Sequence, residues 1–260
     1  MPPVALTIAG SDPSGGAGIQ ADLKTFHQFG VYGESAITLV TVQNTLNVTR
    51  IEILPPELVI QQIESVIADI PPAAAKTGAL GSARMVEAVA NMAKSFNFSL
   101  VVDPVMIAKS GARLLSPEAE TALKRDLLPQ ALLVTPNVPE AEALTGIEIK
   151  TEQDMLAAAQ KLCGFGAKAA LVKGGHLNGP PSDLLYYKGV VRVYEGVRVN
   201  SAHTHGTGCT YSAAVTASLA LGRALEESIA RAKRFMQKAI ETAPGLGRGH
   251  GPLNHFASVE

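Results

Sequence analysis

Short apolar, β-rich runs recur along this chain with helical segments between them, and this alternation limits the possible folds more than any other feature. The six runs are Val4 to Ala9, Ser35 to Val42, Ala73 to Gly78, Ser99 to Val105, Ala131 to Pro136 and Lys168 to Gly175. Near-continuous apolar strands separated by helices predict a mainly parallel sheet with helices on both faces. The predicted fold class is therefore α/β and doubly wound.

The segments between these runs have helical periodicity. The clearest is Leu58 to Ile70, which places four apolar side chains along one stripe: Val59, Ile63, Val66 and Ile70. The dipeptides Pro55-Pro56 and Ser116-Pro117 supply helix starts.

The alternation of strand and helix segments ends at Leu184 to Val199, where apolar residues alternate around Lys188-Gly189. This pattern predicts an antiparallel hairpin at the sheet edge, followed by two helices and a glycine-rich tail. The 260 residues, of which 47% are hydrophobic, contain no boundary-like linker, so we expect one domain spanning 1–260.

Composition excludes several classes of partner. The formal net charge is −1, which gives no basic field for nucleic acid or anionic membrane. No segment approaches the ~20 apolar residues that span a bilayer, and the expected location is the cytoplasm. The two cysteines, Cys163 and Cys209, are too few for a disulfide scaffold and are expected to be reduced, with Cys163 in core or helix-end packing.

The strongest single motif is His203 to Gly222, a glycine-flanked turn that runs into a helix of small residues. Gly206 and Gly208 allow a tight turn, so the backbone N–H groups of Gly206, Thr207, Gly208 and Cys209 can point at one spot at the positive end of the helix dipole. This arrangement predicts an anion hole suited to a phosphoryl group in transfer. The simpler interpretation is a tight turn with close helix packing.

Cys209 lies in the first turn of that helix, where the dipole is expected to lower the pKa of its thiol and favour the thiolate. The thiol would then activate a hydroxyl group. The alternatives are a small buried apolar residue, a hydrolytic pair with His205, or a metal site that includes the HTH run, for which no third ligand is evident.

The segment Ile8 to Leu23 follows a strand and opens a helix, and its glycines match a dinucleotide-binding fingerprint weakly. Residues 11–15 intervene between strand and glycines, and the second strand ends in Gln43-Asn44 without a ribose-binding acid. A ligand-facing loop with Asp22 as its polar group fits better. The alternative for Asp22 is an exposed helix acid near an N-terminus.

Further polar side chains follow the ends of strands: Gln43, Asn44, Asp103, Asn137, Glu140 and Lys173. Ligands of open α/β sheets bind beyond the carboxyl ends of the strands, so we expect these groups to converge on one cleft. Asp103, Asn137 and Glu140 offer oxygen ligands for Mg²⁺ and its water, and Lys173 can neutralise a phosphate. Asn137 is also an N-cap candidate. No Walker loop is present, so an ATP site would depend on the helix start at Gly206.

Together these motifs resemble the ribokinase-like family, and within it the pyrimidine kinases of thiamine biosynthesis. The matching segments, in family order, are Ala9 to Phe26, Thr41 to Thr45, Asp103 to Gly111, Thr135 to Gly146, Leu171 to His176 and His205 to Ala214. The resemblance implies an ATP- and Mg²⁺-dependent phosphorylation of 4-amino-5-hydroxymethyl-2-methylpyrimidine and then of its monophosphate, by a homodimer.

The resemblance also assigns residue roles. It implies that the aminopyrimidine contacts Gly10, Asp22, Gln43 and Val105. It places Asn137 and Glu140 beside magnesium and phosphate, with Asp103 close by, and Cys209 where sugar kinases carry an aspartate base. Ala79 departs from the pattern, because pyrimidine kinases more often have Met there, and a smaller side chain would loosen the ring pocket.

Three other functions remain open at this stage. A pyridoxal or pyridoxine kinase would also phosphorylate a ring hydroxymethyl group. A Cys-His hydrolase would act without ATP and be blocked by thiol alkylation. A pyrimidine-binding sensor module would bind ligand without consuming ATP, although no DNA-binding segment is visible.

Overall fold

The computed structural model describes residues 2–107, 111–177 and 179–259. Its strands are β1 (Val4–Ser11), β2 (Tyr32–Gln43), β3 (Val48–Ile53), β4 (Ala74–Thr77), β5 (Ser99–Val102), β6 (Leu133–Val134), β7 (Ala169–Lys173), β8 (Asp183–Tyr187) and β9 (Val190–Tyr194). Its α-helices are α1 (Gly18–Gln28), α2 (Pro56–Asp69), α3 (Ala83–Ala93), α4 (Pro117–Ala122), α5 (Val138–Thr145), α6 (Glu152–Gly164), α7 (Thr207–Ala220) and α8 (Leu225–Glu241). A π-helical turn (Leu123–Leu127) and a 3₁₀ turn (Leu128–Gln130) extend α4, and a second 3₁₀ turn (Gly174–His176) follows β7.

All nine strands form one sheet in the order β3-β2-β1-β4-β5-β6-β7-β8-β9. The strands from β2 to β7 in that order are parallel to one another, whereas β3, β8 and β9 run antiparallel to their neighbours. The chain therefore starts in the middle of the sheet and builds outward in both directions. The carboxyl ends of β1, β2, β4, β5, β6 and β7 consequently share one edge.

Helices cover both faces of this sheet. Alternate strand residues point to opposite sides, so Leu6 and Ile8 pack in the core beneath α2 to α6, whereas Ala5 packs in the core beneath α1, α7 and α8. Helix α7 is buried along nearly its whole length, which explains its small residues: a helix of Ala, Ser and Thr can lie close to the sheet.

The predicted architecture is confirmed, with one addition and one correction. A strand forms at each of the six predicted runs, and the hairpin forms at the β9 edge, with Lys188 and Gly189 both at positive φ as its two-residue turn requires. Strand β3, at the opposite edge, was not predicted. The stripe along α2 is shorter than predicted, because Val59 and Ile63 are fully buried while Ile70 is the exposed C-terminal cap.

Within the described ranges, the helices are all too short or too polar to cross a bilayer. Residues 108–110 of the segment Asp103 to Gly111 lie outside the described part of the chain.

Candidate active site

The N-terminus of α7 lies at the carboxyl edge of the sheet, and Gly206 makes its position possible. Gly206 is the N-terminal cap with φ of 77°, and a Cβ there would overlap the carbonyl oxygen of Gly16. The first helical hydrogen bond runs from the Thr210 N–H to the Gly206 carbonyl, at 2.8 Å. The N–H groups of Gly208 and Cys209 precede that bond and have no carbonyl one turn earlier in the helix.

One of the four backbone N–H groups of the predicted anion hole, that of Thr207, has an acceptor within the protein. The Thr207 N–H turns back to the Thr204 carbonyl at 3.4 Å, and the Thr207 hydroxyl donates to the same oxygen at 2.7 Å. The N–H groups of Gly208 and Cys209 have no such partner within the helix, and anion binding by them and by the Gly206 N–H stays a prediction.

Two charged groups converge on this turn. A Cβ built at Gly208 would lie 3.3 Å from Nζ of Lys173 and 3.6 Å from Oδ2 of Asp103. Lys173 and Asp103 form an ion pair of 3.3 Å between Nζ and Oδ1, with side chains that are 12% and 2% exposed. Ser212 donates to Oδ2 of Asp103 at 3.2 Å, and Thr135 donates to Oδ1 at 3.4 Å. The expected convergence of strand ends is thus observed for these two residues and the glycine turn.

Asn137 and Glu140 form a capping box at the start of α5. The Asn137 side chain accepts from the Glu140 N–H, and the Glu140 carboxylate accepts from the Asn137 N–H, both at 2.9 Å. This confirms the N-cap prediction for Asn137. Burial raises the pKa of Glu140 to about 7 and nearby Asp103 adds to the rise, while Lys173 opposes it. A contact of Asn137 or Glu140 with nucleotide stays a prediction.

The carboxylates of Asp103 and Glu140 could serve a divalent cation together with other ligands. Among the residues that the structure describes, no three His, Cys, Asp or Glu side chains form a cluster that could hold a metal on their own. Mg²⁺ usually takes one or two carboxylates and completes its shell with phosphate oxygens and water. Two buried carboxyl groups, one of them with a raised pKa, fit a cation that arrives with its phosphate ligand.

The alternative prediction that Asp22 is an exposed helix acid is wrong, because Asp22 is buried. Its side chain and that of Lys76 are both 0% exposed and form an ion pair of 2.7 Å. The other Asp22 oxygen accepts from the Thr7 hydroxyl at 2.6 Å. Burial alone would lower the pKa of the Lys76 ammonium, but Asp22, Cys209 and Asp103 raise it. A direct contact between Asp22 and a pyrimidine stays a prediction, and here both its oxygens bind protein groups.

The predicted pKa of Cys209 is wrong in direction. Burial raises the pKa of its thiol to about 12, and the carboxylates of Asp22 and Asp103 add to the rise. Lys76 and a hydrogen bond from the Gly18 N–H act in the opposite direction without overcoming it. The helix dipole is a local effect, whereas the burial and the acidic neighbours come from the tertiary structure.

His205 contacts a different partner from the hydrolytic pair considered above. Its Nε2 lies 2.8 Å from Oδ2 of Asp12 and 3.2 Å from the side-chain amide of Gln43. This ring nitrogen is thus directed to a carboxylate and an amide rather than to the Cys209 thiol. The segments around Asp12, Gln43 and His205 come together at the same sheet edge.

Gly10 lies near the carboxyl end of β1, and Val105 follows the carboxyl end of β5. Gly10 lies at a register shift between β1 and β2, and its neighbour in space is Leu39. Val105 is half-buried, and its N–H donates to the Asp103 carbonyl at 2.9 Å. Their contact with a substrate stays a prediction.

Sequence reasoning missed Lys76 and Asp12 as members of the site. A lysine within the apolar run AAAKTG was a usable signal, because lysine is almost never fully buried unless it is paired. Asp12 carried a weaker signal as the first residue of a DPS turn, where Asp commonly accepts from the backbone two residues on.

Comparison with known proteins identifies the group to which this arrangement is related. Residues 12–254 match the family model described as phosphomethylpyrimidine kinase. The hydroxymethylpyrimidine/phosphomethylpyrimidine kinase of Bacillus subtilis is 48% identical over 256 residues, which cover 97% of this chain and 94% of that relative.

Solved structures agree in fold. A phosphomethylpyrimidine kinase from Clostridium difficile is 45% identical with a TM-score of 0.82, covering 92% of this chain and 99% of that one. A pyridoxal kinase from Bacillus subtilis, solved as an ADP complex, is 39% identical with a TM-score of 0.91, covering 99% and 98%. The fold is thus that of the ribokinase-like kinases.

The buried Asp22–Lys76 pair predicts a measurable stability pattern. Lys76→Met leaves Asp22 as an unpaired buried charge and is expected to lower the free energy of unfolding by about 3–5 kcal/mol. Lys76→Met with Asp22→Asn removes both charges and is expected to recover most of that loss. Urea denaturation measures both. The control is Arg125→Met, which breaks exposed pairs and should cost at most about 1 kcal/mol. Equal losses for the single and double variants would contradict a charge-pair role.

The raised pKa of Glu140 predicts how stability depends on pH. The carboxyl group ionises near 4.5 in the unfolded chain and near 7 in the folded one, so between these values the folded state binds more protons. Its contribution to stability therefore falls as pH rises from 4.5 to 7. Glu140→Gln keeps an acceptor for Asn137 and should gain on the order of 3 kcal/mol relative to the parent between pH 4.5 and pH 8.

Chemical denaturation of parent and Glu140→Gln at both pH values checks this prediction. Glu34, whose pKa burial also raises to about 7, is present in both proteins and cancels in the comparison. Stability curves that run parallel from pH 4.5 to pH 8 would show that Glu140 ionises normally in the fold.

Proposed function

The chain belongs to the phosphomethylpyrimidine kinase family, and we propose that it phosphorylates 4-amino-5-hydroxymethyl-2-methylpyrimidine with ATP and then phosphorylates the monophosphate to the diphosphate. These two steps would supply the pyrimidine half of thiamine diphosphate. One domain spanning 1–260 would carry both reactions.

The observation that carries this proposal is the convergence of Lys173 and Asp103 on the glycine turn at the start of α7. The ammonium group would neutralise phosphate oxygens of ATP. The amides of Gly208 and Cys209 would stabilise the charge that develops on the phosphoryl group in transfer. Nucleotide use is supported by the pyridoxal kinase of Bacillus subtilis, which shares this fold and was solved with ADP.

Magnesium fits the carboxylate pair described above. Asp103 and Glu140 would hold the ion together with phosphate oxygens and water. Asn137, the N-cap of α5, would keep Glu140 in place by accepting from its backbone N–H. The ion would supply positive charge to the phosphates. Its presence would also favour the ionised form of Glu140, whose pKa the fold raises to about 7.

The substrate ring would lie between the ends of β1, β2 and β5. Gln43 would bind the polar edge of the pyrimidine, with Gly10 and Val105 against the ring.

Asp22 would act from behind these ring contacts, since its carboxylate is fully buried against Lys76. Lys76 in turn faces Cys209 closely enough for each charge to shift the other's pKa.

The reaction would proceed as an in-line transfer. The hydroxyl oxygen of the substrate forms a bond to the γ-phosphorus, the bond to the β-phosphate oxygen breaks, and ADP leaves. The thiolate form of Cys209 accepts the proton of the hydroxyl group and becomes the thiol. Lys76 would favour that thiolate against the burial of the site.

The decisive experiment is ATP turnover, measured by coupled ADP release, with hydroxymethylpyrimidine, its monophosphate and pyridoxine side by side. We expect kcat/KM to be highest for the two pyrimidines. Hydrolysis without ATP, or ligand binding without turnover, would instead support the hydrolase or the sensor interpretation.

Pyridoxal or pyridoxine phosphorylation is the second candidate, and two observations favour it. The fold matches the Bacillus subtilis pyridoxal kinase with a TM-score of 0.91. Ala79, beside the predicted ring site, is smaller than the Met that is usual in pyrimidine kinases. A higher kcat/KM for pyridoxine than for hydroxymethylpyrimidine would make this the main function.

We also propose a cytoplasmic homodimer, as the family resemblance implies. The edge of the sheet at β2 and β3 exposes several apolar side chains: Val40, Val42, Leu46 and Ile53. Exposed apolar groups in one patch are typical of interfaces between subunits. Analytical ultracentrifugation tests the oligomeric state.

Cys209 gives a sharp kinetic prediction. Because its thiol pKa is raised to about 12, the thiolate fraction grows roughly tenfold per pH unit between pH 7 and 9. We therefore expect kcat of the parent to rise with pH in this range. Cys209→Ala should lower kcat about 100-fold and abolish the rise.

Initial rates at saturating ATP and pyrimidine measure this effect. Cys163→Ala is the matched control, because Cys163 packs against the core beneath α2 to α6 and should leave the pH profile unchanged. If Cys209→Ala turns over near the parent rate, positioning and the α7 amides account for the whole mechanism.

A further inference from the structure

The carboxylate of Asp12 organises the loop that follows β1. Its Oδ1 accepts from the backbone N–H and the hydroxyl of Ser14, at 2.8 and 2.7 Å. Its Oδ2 accepts from the Ala17 N–H at 2.9 Å and lies 2.8 Å from Nε2 of His205. Burial would raise the pKa of this carboxyl, but the hydrogen bonds from His205 and Ser14 outweigh it and lower the pKa. Asp12 is therefore ionised and can only accept.

This contact determines which nitrogen of His205 carries a hydrogen. An ionised carboxylate has no donor, so at 2.8 Å the Nε2 atom of His205 must be the donor. The conclusion holds for neutral and for cationic imidazole, because Nε2 is protonated in both. The side chains of Asp12 and His205 are only 4% and 7% exposed, which shields this charge-assisted bond from water.

The side-chain amide of Gln43 lies next to the same nitrogen. In the structure the amide nitrogen lies 3.2 Å from His205 Nε2, and the amide oxygen lies 3.2 Å from Oγ1 of Thr41. The Thr41 hydroxyl has one hydrogen and two acceptors within reach, the Ser11 carbonyl at 3.0 Å and the Gln43 oxygen at 3.2 Å. An NH₂ group facing His205 would place two donors against each other. Exchanging the two ends of the amide removes this conflict: the oxygen then shares the Nε2 hydrogen of His205 with Asp12, and the NH₂ group donates to Thr41, whose own hydrogen goes to the Ser11 carbonyl.

We propose, on the basis of the function proposed above, that Asp12 and His205 are positioning residues that fix the orientation of the Gln43 amide and thereby the specificity for an aminopyrimidine. With its oxygen towards His205 and its nitrogen towards Thr41, the amide keeps one lone pair and one N–H for a ligand. A ring nitrogen beside an exocyclic amino group is the complementary acceptor and donor pair, as in the bidentate reading of adenine by Gln.

The orientation of the amide matters because its donor and acceptor are not interchangeable. A reversed amide would pair with the ring only if the ring were turned over, which would carry the hydroxymethyl group to the other side of the pairing edge. Pyridoxine has a hydroxymethyl group where the pyrimidine has its amino group, so it does not present the same pair of a ring nitrogen and an exocyclic amino group. Asp12 and His205 thus act on substrate choice without touching the substrate.

The test compares hydroxymethylpyrimidine with the analogue that lacks the 4-amino group. In the parent, kcat/KM should be higher for the amino compound. Asp12→Asn can place an NH₂ group against His205, which moves the hydrogen to the other ring nitrogen and favours the reversed amide. We expect the ratio of the two kcat/KM values to fall at least about fivefold, the lower end for one bidentate pair, while KM for ATP changes less than about threefold.

A merely structural role of Asp12 would lower kcat/KM for both compounds equally and leave their ratio unchanged, which would overturn the proposal. Asp126→Asn makes the same chemical change at an exposed ion pair and should keep the parental ratio. Absence of pyrimidine phosphorylation in the parent itself would instead refute the proposed function, so the two failures are distinguishable.

A second pair of variants keeps the test decisive if Asp12→Asn does not fold. His205→Gln can supply two N–H donors near the position of Nε2, one for Asp12 and one for the Gln43 oxygen, and should preserve the discrimination. His205→Ala supplies none and should lose it. Equal ratios for these two variants would also overturn the proposal.

Discussion

Gly206 brings the first turn of α7 against the loop that follows β1, in backbone contact with Gly16, because neither residue has a side chain to separate them. That contact positions the amides of Gly208 and Cys209 over the carboxyl edge of the sheet. It also brings His205 within reach of Asp12. The predicted anion-binding turn and the predicted substrate loop are therefore held as one unit, and a side chain at Gly206 would separate them.

Buried charged groups are the second main feature of the candidate site, and they set the pKa of the Cys209 thiol. Asp22 is paired with Lys76, and Asp103 is paired with Lys173. Charges removed from water need partners, and these pairs lie around the thiol of Cys209. The thiol consequently has the cations of Lys76 and Lys173 and two carboxylates near it, and burial together with the carboxylates raises its pKa. A phosphoryl donor and its cation would enter a site whose charges are already arranged.

Several parts of the site follow from local sequence patterns. The strand ends at Gln43, Asp103 and Lys173 were predictable because parallel strands share one carboxyl edge. The capping box at Asn137 and Glu140 and the helix start after Gly206 depend on neighbours within a few residues. The unpredicted strand β3 has a polar, half-exposed sequence, and its pairing with β2 provides the order that its own pattern lacks.

The sequence by itself determined the α/β class, the family and the positions of the glycine turn before α7 and of the strand-end groups, because these depend on periodicity and on short motifs. Only the tertiary structure decided that Lys76 pairs with Asp22, that Asp12 directs His205, and that the pKa of Cys209 rises instead of falling. These partners are 54 and 193 residues apart in the two pairs. Sheet order and burial bring such groups together, and neither desolvation nor a long-range charge can be derived from the neighbours of a residue along the chain.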